Sequence, residues 1–159
     1  MIFLVLGTQK FQLNRLLKEM DKLCGTGKVT DIVYAQKGYS EYQPKNYEYV
    51  DFLNKDEFEK TIAKSSLIIT HSGVGSIITA IQSGKPVIVY PRLCKYKEHV
   101  DDHQLEIAEA FEKKNFVLCC KEKEDLGKVI DRARSHVFDK YEPATGNIIN
   151  LVSTFLEKI

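Results

Sequence analysis

The chain has 159 residues, with 23 Lys or Arg against 22 Asp or Glu, so its formal net charge is +1. This length suits one domain around a single hydrophobic core. A hydrophobic fraction of 43% and a charged fraction of 28% are those of an ordinary globular protein, which excludes a disordered or fibrous chain. The balanced charge provides no basic excess for nucleic acid, so no nucleic-acid partner is expected.

The start of the chain lacks the features of an export signal. Its apolar run over residues 2–6 is short and has neither a basic flank nor a small-residue cleavage site. No window approaches the roughly 18 apolar residues of a transmembrane helix. The four cysteines include no C-x-x-C pair, which favours reduced structural thiols. We therefore expect a cytoplasmic protein.

Short β-branched runs alternate with segments of helical period along the chain. They predict strands over residues 2–6, 31–35, 48–50, 67–70, 87–90 and 116–119. Helices are predicted near residues 13–24, 58–63, 74–83, 105–111 and 126–133, with a last one at about 145–158. The alternation predicts an α/β fold with a doubly wound, mostly parallel sheet, as a single Rossmann-like domain over residues 1–159. Ligands of such sheets bind beyond the carboxyl ends of the strands.

Glycines follow two of the predicted strands. Gly7 and Thr8 come after the first strand, where a glycine permits close approach to a ligand or simply a turn. The fourth strand ends in His71-Ser72-Gly73-Val74-Gly75-Ser76, which opens directly into a helix. Unpaired N–H groups at that helix N-terminus suit a phosphate, although a serine there also serves as a helix cap. The glycine spacing favours the phosphate site.

Two familiar nucleotide motifs fail on inspection. The stretch Gly25-Thr26-Gly27-Lys28 is followed by Val29, so it lacks the hydroxyl residue of a P-loop. Gly73 and Gly75 fit the first two glycines of a dinucleotide fingerprint, but Ile78 stands at the third position. The sequence therefore predicts neither a P-loop nor an NAD site.

A polar loop, residues 91–104, follows the fifth strand. One interpretation is a solvated loop in which an aspartate caps the next helix. A metal site is disfavoured, because the two histidines lack the spacing of a zinc motif. We favour a site for an anionic ligand, with charge from Arg92 and Lys95 and directed hydrogen bonds from His103 and Gln104.

Taken in order, these strand ends resemble the C-terminal domain of glycosyltransferase family 28. The resemblance rests on G-T-Q, I-T-H-S-G-V-G-S, G-K-P-V-I-V-Y-P-R and E-H-V-D-D-H-Q-L-E-I-A. It covers almost the whole chain and is greatest to the small subunits of split transferases, both the eukaryotic N-glycan type and those of bacterial capsule and exopolysaccharide biosynthesis. It implies the donor-binding C-terminal half of a GT-B glycosyltransferase.

The resemblance also implies roles for individual residues. Those expected near the diphosphate and sugar of the donor are Gly7, Thr8, Ser72, Gly73, Gly75, Ser76, His103 and Gln104. Those expected near the nucleoside are Val50, Phe52 and Thr79. Thr79 departs from the pattern, since many relatives have a glutamate there for the ribose hydroxyls. A threonine hydroxyl can still hydrogen-bond ribose, but not in the bidentate manner of a carboxylate.

The implied function is inverting transfer of a hexose (galactose, glucose or N-acetylglucosamine) from a UDP-sugar to a polyprenyl-linked acceptor, without a metal or other cofactor. A membrane-anchored partner subunit would supply the acceptor-binding half and receive the last helix, which would place the protein at the inner face of the membrane. Glu98, His99 and Asp102 are the candidate bases in this chain, and the partner is the alternative source. A non-catalytic stabilising subunit is the alternative function. An epimerase is disfavoured because it needs two such domains.

Overall fold

The computed structural model describes residues 1–142, which contain six strands. The strands are β1 (Ile2–Val5), β2 (Val33–Gln36), β3 (Glu48–Val50), β4 (Leu67–Thr70), β5 (Val87–Val89) and β6 (Leu118–Cys119). They form one sheet in the order β3-β2-β1-β4-β5-β6, and every neighbouring pair is parallel. The predicted doubly wound α/β fold is confirmed, with a sheet that is parallel throughout.

Helices connect the strands and cover the sheet. They are α1 (Asn14–Gly25), α2 (Lys55–Lys64), α3 (Val74–Gln82), α4 (His103–Lys113) and α5 (Leu126–Ser135), and a short 3-10 turn spans Cys94–Tyr96. Among residues 1–142, no helix combines the length and the apolar character that a membrane crossing needs. The helix predicted at about residues 145–158 lies outside the described residues.

The central strand β1 is buried on both faces of the sheet. Ile2 and Leu4 pack into a cluster with apolar residues of α1 and α5, while Phe3 and Val5 pack into a second cluster with residues of α2, α3 and α4. These four side chains are 3% exposed or less. Each such burial contributes about 1.5–3 kcal/mol, which explains why the strand is apolar at successive positions rather than at alternate ones.

Two strands begin later than the sequence pattern predicts. Strand β2 begins at Val33, because Ile32 is 76% exposed and lies before the sheet. Strand β6 begins at Leu118, because Asn115 has a left-handed φ of 61° and the N–H of Phe116 donates to the carbonyl of Phe111. Residues 115 and 116 therefore close the end of α4 instead of starting the strand.

Candidate functional site

The site lies where the strand order reverses. Strand β1 pairs with β2 on one side and β4 on the other, so the chain leaves β1 and β4 toward opposite faces and opens a crevice at their carboxyl ends. The N–H of His71, just after β4, donates to the carbonyl of Val5 at 2.9 Å. This bond brings the two glycine-containing loops of the sequence prediction side by side.

Gly7 and Gly73 both pack against the imidazole ring of His71. Gly7 has a φ of +80°, and a Cβ at this position would lie 2.4 Å from Nε2 of His71. A Cβ on Gly73 would lie 2.4 Å from Cε1 of the same ring. Because real Cβ atoms do not approach so closely, both glycines are needed to make room for His71.

His71 is a candidate site residue that the sequence analysis did not select, although it stands inside the motif. It is 5% exposed, its Nδ1 lies 2.8 Å from Nη1 of Arg92, and its Nε2 lies 3.2 Å from Oγ of Ser76. Burial, together with the nearby charges of Arg92 and His99, lowers the pKa of His71 to about 3. The imidazole is therefore neutral at physiological pH.

The N-terminus of α3 offers unpaired backbone donors. Its first flanking residue, Gly73, supplies no side-chain cap, and the first turn contains no acidic residue. Helix α2 differs, because Asn54 and Glu57 form a capping box there. At Gly75 a Cβ would meet no atom within 4 Å, so this backbone faces open space. Free N–H groups and the positive end of the helix dipole make this terminus suitable for an anion.

A cavity of about 460 Å³ lies in front of these groups. Its polar end is formed by His71 and the α3 N-terminus, and its apolar wall by Leu53 and Phe58. Lys55, the first residue of α2, also lines it, and no carboxylate does so among the described residues. The full lining is Val5, Gly7, Thr8, Gln9, Gln36, Leu53, Lys55, Phe58, His71, Gly73, Val74, Gly75 and Ser76. This arrangement suits an anionic group joined to a less polar one.

Five predicted diphosphate contacts, Gly7, Thr8, Gly73, Gly75 and Ser76, line this cavity. Ser72 does not, because it is fully buried and its hydroxyl donates to the carbonyl of Gln104 at 2.5 Å. The side-chain oxygen of Gln104 accepts from the N–H groups of Ser72 and Arg92, at 3.3 and 3.1 Å. Ser72 and Gln104 thus join the ends of β4 and β5 to α4, beneath the cavity.

Arg92 and Lys95 do not present free charge to the cavity. Arg92 is 1% exposed, and its guanidinium is engaged by His71 and by main-chain carbonyls of the loop after β1. Lys95 pairs with Glu122 at the surface. The positive side chain that faces the cavity is instead Lys55, which the sequence analysis did not select.

The loop after β5 brings together His99, Asp101 and His103. Nδ1 of His99 lies 3.3 Å from a carboxylate oxygen of Asp101, and Nε2 of His103 lies 3.7 Å from the other. The ring of His99 also packs on Phe11, with centroids 4.6 Å apart. Within the described residues, neither these three side chains nor any other group of His, Cys, Asp and Glu is arranged so that it could hold a metal ion. Helix α4 begins at His103, so the two histidines do not share a helix face.

Glu98 is an ion-pair residue in this structure. It is 1% exposed, and its carboxylate accepts from Nε and Nη2 of Arg15 at 3.1 and 3.0 Å and from the N–H of Leu93 at 2.9 Å. This position differs from that of a base exposed to an acceptor. Of the other candidate bases, His99 has a partly exposed side chain, and Asp102 is exposed but accepts from the N–H of Cys94 at 2.9 Å.

The predicted nucleoside residues Val50, Phe52 and Thr79 do not belong to the lining of the cavity. Val50 ends β3, and its carbonyl accepts from the N–H of Lys37 at 2.9 Å. Phe52 is 43% exposed and packs edge-on against Tyr39, with centroids 5.3 Å apart. The hydroxyl of Thr79 donates to the carbonyl of Gly75 at 2.9 Å, one turn into α3. The pair of exposed aromatic rings was not anticipated from the sequence as a unit, because Tyr39 follows a different strand.

The fold is that of a doubly wound, Rossmann-like domain, a class in which ligands bind at the topological switch point of the sheet. Residues 1–158 match the glycosyltransferase family 28 C-terminal domain, and the chain belongs to this family. The predicted family is thereby confirmed.

Curated relatives extend the comparison. The chain is 34% identical over 82 residues to the UDP-N-acetylglucosamine transferase subunit ALG13 of Candida albicans, an alignment that covers 52% of this chain and 27% of the relative. It is 28% identical over 126 residues to the UDP-N-acetylglucosamine--N-acetylmuramyl-(pentapeptide) pyrophosphoryl-undecaprenol N-acetylglucosamine transferase of Geobacillus thermodenitrificans, covering 78% of this chain and 32% of the relative. The chain thus spans about a third or less of these relatives.

Solved structures confirm the fold. The glycosyltransferase of kitacinnamycin superposes with a TM-score of 0.61 at 15% identity, over 99% of this chain and 40% of that one. The calicheamicin glycosyltransferase CalG4 superposes with a TM-score of 0.57 at 15% identity, over 99% and 38%. The domain therefore has the fold of one half of a GT-B glycosyltransferase.

Proposed function

We propose that the chain is the donor-binding, catalytic subunit of an inverting glycosyltransferase that moves a hexose from a UDP-sugar to a lipid-linked acceptor in polysaccharide biosynthesis. The observation that carries the proposal is the cavity at the switch point. Its lining contains neutral hydrogen-bond donors and one lysine. Among the described residues, no carboxylate contributes to this lining. A diphosphate is the ligand for which such a lining is most favourable.

The proposed reaction uses these groups to stabilise a leaving group. The acceptor hydroxyl oxygen forms a bond to the anomeric carbon while the bond from that carbon to the diphosphate breaks. The electron pair leaves with UDP, and the hydroxyl proton passes to a base. The α3 N–H groups, the imidazole of His71 and the ammonium of Lys55 all face the cavity in which the negative charge grows. Charge stabilisation of this kind requires no metal ion.

Transfer requires a base that takes the proton of the acceptor hydroxyl. Glu98 is held by Arg15, and a carboxylate in a buried ion pair is a poor acceptor for a substrate proton. His99 has a side chain that is 18% exposed and lies 3.3 Å from Asp101, but its buried Nδ1 makes no hydrogen bond within the described residues. His99 is thus the base that we propose within this chain. The half of the enzyme that binds the acceptor remains the alternative source.

The partner and the substrates are proposed from the names of the relatives. The name of the Candida albicans relative describes a transferase subunit, which supports our proposal that a separate, membrane-anchored chain completes the cleft. The names of the relatives favour N-acetylglucosamine as the sugar, and the name of the Geobacillus relative favours a polyprenyl-linked acceptor. The proposed site of action is the cytoplasmic face of the membrane.

A non-catalytic stabilising subunit is the second candidate function. Thr79 favours it, because its hydroxyl is already bonded to the carbonyl of Gly75 and the residue offers no carboxylate for a ribose. Gln104 is unsuitable for separating the two candidates, because it also joins Ser72 to the main chain of Arg92. Gly75 is suitable, because its substituents enter open space.

The test is a calorimetric titration of the folded full chain with UDP, compared with ADP. We expect UDP to bind more tightly than ADP. Gly75→Asp should bind UDP about tenfold or more weakly than its uncharged control Gly75→Asn, because about 1.4 kcal/mol of repulsion corresponds to tenfold. Absence of UDP binding by the folded wild type contradicts the proposal. Equal binding by the Asp and Asn variants contradicts the phosphate position.

A further inference from the structure

Arg92 is a buried cation with no contacting carboxylate. It is 1% exposed, and no ion pair joins it to an acid in residues 1–142. Its guanidinium instead donates to the carbonyls of Leu6, Phe11 and Gln12 and contacts Nδ1 of His71. Burial lowers its pKa to about 10, with Glu98 opposing that shift, so it is charged at neutral pH. Burying a charged side chain without a paired opposite charge costs free energy, so the position of Arg92 requires a physical explanation.

The contact between Arg92 and His71 determines where the imidazole carries its hydrogen. A guanidinium has only donors, so Nδ1 of His71, 2.8 Å from Nη1 of Arg92, must accept with its lone pair. A neutral imidazole then carries its single hydrogen on Nε2. This nitrogen lies 3.2 Å from Oγ of Ser76, at the wall of the cavity. The hydrogen therefore points to Ser76 or to a ligand in the cavity.

We propose that Arg92 is a positioning residue that fixes His71 as the Nε2–H tautomer, so that the imidazole presents a permanent hydrogen-bond donor to an anionic ligand. The inference rests on the proposed function in one respect, since it takes that ligand to be the diphosphate of the donor. Arg92 itself does not reach the cavity and acts through His71.

Two physical effects make this arrangement advantageous. Without Arg92, the hydrogen of a neutral imidazole is free to move to Nδ1, and the lone pair on Nε2 would then repel a phosphate oxygen. With Arg92, the charge-assisted bond at Nδ1 polarises the ring and strengthens donation from Nε2. The charged or titratable groups that act on His71 are Arg92 and His99, and Lys55 lines the same cavity. Arg92 and His99 oppose protonation of His71.

The tautomer can be observed directly by nitrogen NMR of the uniformly labelled full chain. The chain has only four histidines, and His71→Asn identifies the signals of His71. We expect a neutral Nε2–H ring from about pH 8 down to about pH 5 in the wild type. In Arg92→Met, the pKa of His71 should rise and the Nδ1–H tautomer should become populated. An Nδ1–H ring or a protonated ring in the wild type within this range would overturn the inference, even if the variant does not fold. An unchanged ring in folded Arg92→Met would do the same.

A double-mutant cycle on UDP affinity adds a second readout. His71→Asn keeps an amide oxygen that can accept from Arg92 but lacks the donor at Nε2, so it should bind UDP about tenfold more weakly. Arg92→Met should show a similar loss, and the double variant no further loss, because both changes remove the same donor. If the losses of UDP affinity in the two single variants add up in the double variant, Arg92 acts independently of His71. That result would overturn the inference. If the wild type shows the expected tautomer but binds no UDP, the proposed function fails while the assignment of the tautomer stands.

Discussion

Arg15 and Glu98 form a bidentate ion pair that connects the loop after β5 to helix α1. Nε and Nη2 of Arg15 lie 3.1 and 3.0 Å from the two carboxylate oxygens of Glu98. Arg15 also donates to the hydroxyl of Tyr90 and to the carbonyl of Pro91, each at 3.0 Å. The guanidinium therefore holds the same loop that carries Arg92 and His99. The pair gives Glu98 a structural role that its place in the sequence motif does not reveal.

The first prediction concerns the stability contributed by this pair. Glu98→Ala should lower the free energy of unfolding by about 3 kcal/mol, because it leaves the guanidinium of Arg15 and the N–H of Leu93 without their acceptor. Urea denaturation measures the change. The matched control is Glu122→Ala, whose partner Lys95 is 57% exposed, and its effect should be much smaller because solvent screens this pair.

Transfer assays separate this structural role from a catalytic one. If Glu98→Gln is as stable as the wild type and loses transfer altogether, Glu98 acts as the base and our placement of it is wrong. We expect the opposite, namely a destabilised protein whose remaining folded fraction still transfers sugar.

The second prediction compares two glycines of one motif. Gly73→Ala should lower the melting temperature and weaken UDP binding, because its Cβ would lie 2.4 Å from the ring of His71 and must displace it, at a cost of about 1–3 kcal/mol. Gly75→Ala should leave the melting temperature unchanged or raise it, since its Cβ enters open space in the first turn of α3 and stabilises a helix by up to about 1 kcal/mol. Thermal unfolding monitored by circular dichroism tests the difference. If both variants lowered the melting temperature, or both raised it, the packing that we describe around the two glycines would be contradicted.

The fold was predictable from the sequence because its signals are local. Strand β4 and helix α3 have the predicted start positions, since a buried apolar run and a following glycine motif mark them without reference to the rest of the chain. Residues 115 and 116 misled the prediction of β6, because a left-handed asparagine and a helix-terminating bond look like the start of an apolar strand.

The site was predictable only in part, because burial and pairing depend on distant residues. Gly73, Gly75 and Ser76 line the cavity and could be predicted as site residues, because they belong to one contiguous motif. The sequence does not show that Arg92 points inward to His71, which precedes it by 21 positions. Lys55 was also missed, because it contributes to the cavity only through the packing of α2 next to β1 and β4.

The third prediction concerns acid sensitivity at Asp21, which anchors the loop after β2 to α1. Burial alone would raise the pKa of Asp21, but hydrogen bonds from Tyr42, from the backbone of Lys45 and from Asn46 outweigh it and lower the pKa below its ordinary value. A carboxyl group whose pKa is lower in the folded state stabilises the protein above the unfolded pKa of about 3.9. That contribution disappears as the pH falls through the folded pKa.

Asp21→Asn makes this effect measurable. The wild type should be more stable than the variant by about 2 kcal/mol at pH 7, with the difference shrinking below about pH 4. Urea denaturation at a series of pH values provides the comparison. A difference that stays constant or grows toward acid would show that the ionised carboxylate is not what stabilises the loop.

The fourth prediction concerns Lys55, a cation at the first position of helix α2. A positive charge at a helix N-terminus is unfavourable by about 0.3–1 kcal/mol, so this residue is poorly placed for stability and well placed for an anion in the cavity. Lys55→Gln should keep or raise the melting temperature while weakening UDP binding about fivefold. The loss should shrink as salt is added, because salt screens the attraction that the lysine provides. Lys64→Gln, at the other end of the same helix, is the matched control and should leave UDP affinity unchanged. Equal UDP affinity for the wild type and Lys55→Gln at low salt would place the diphosphate away from α2.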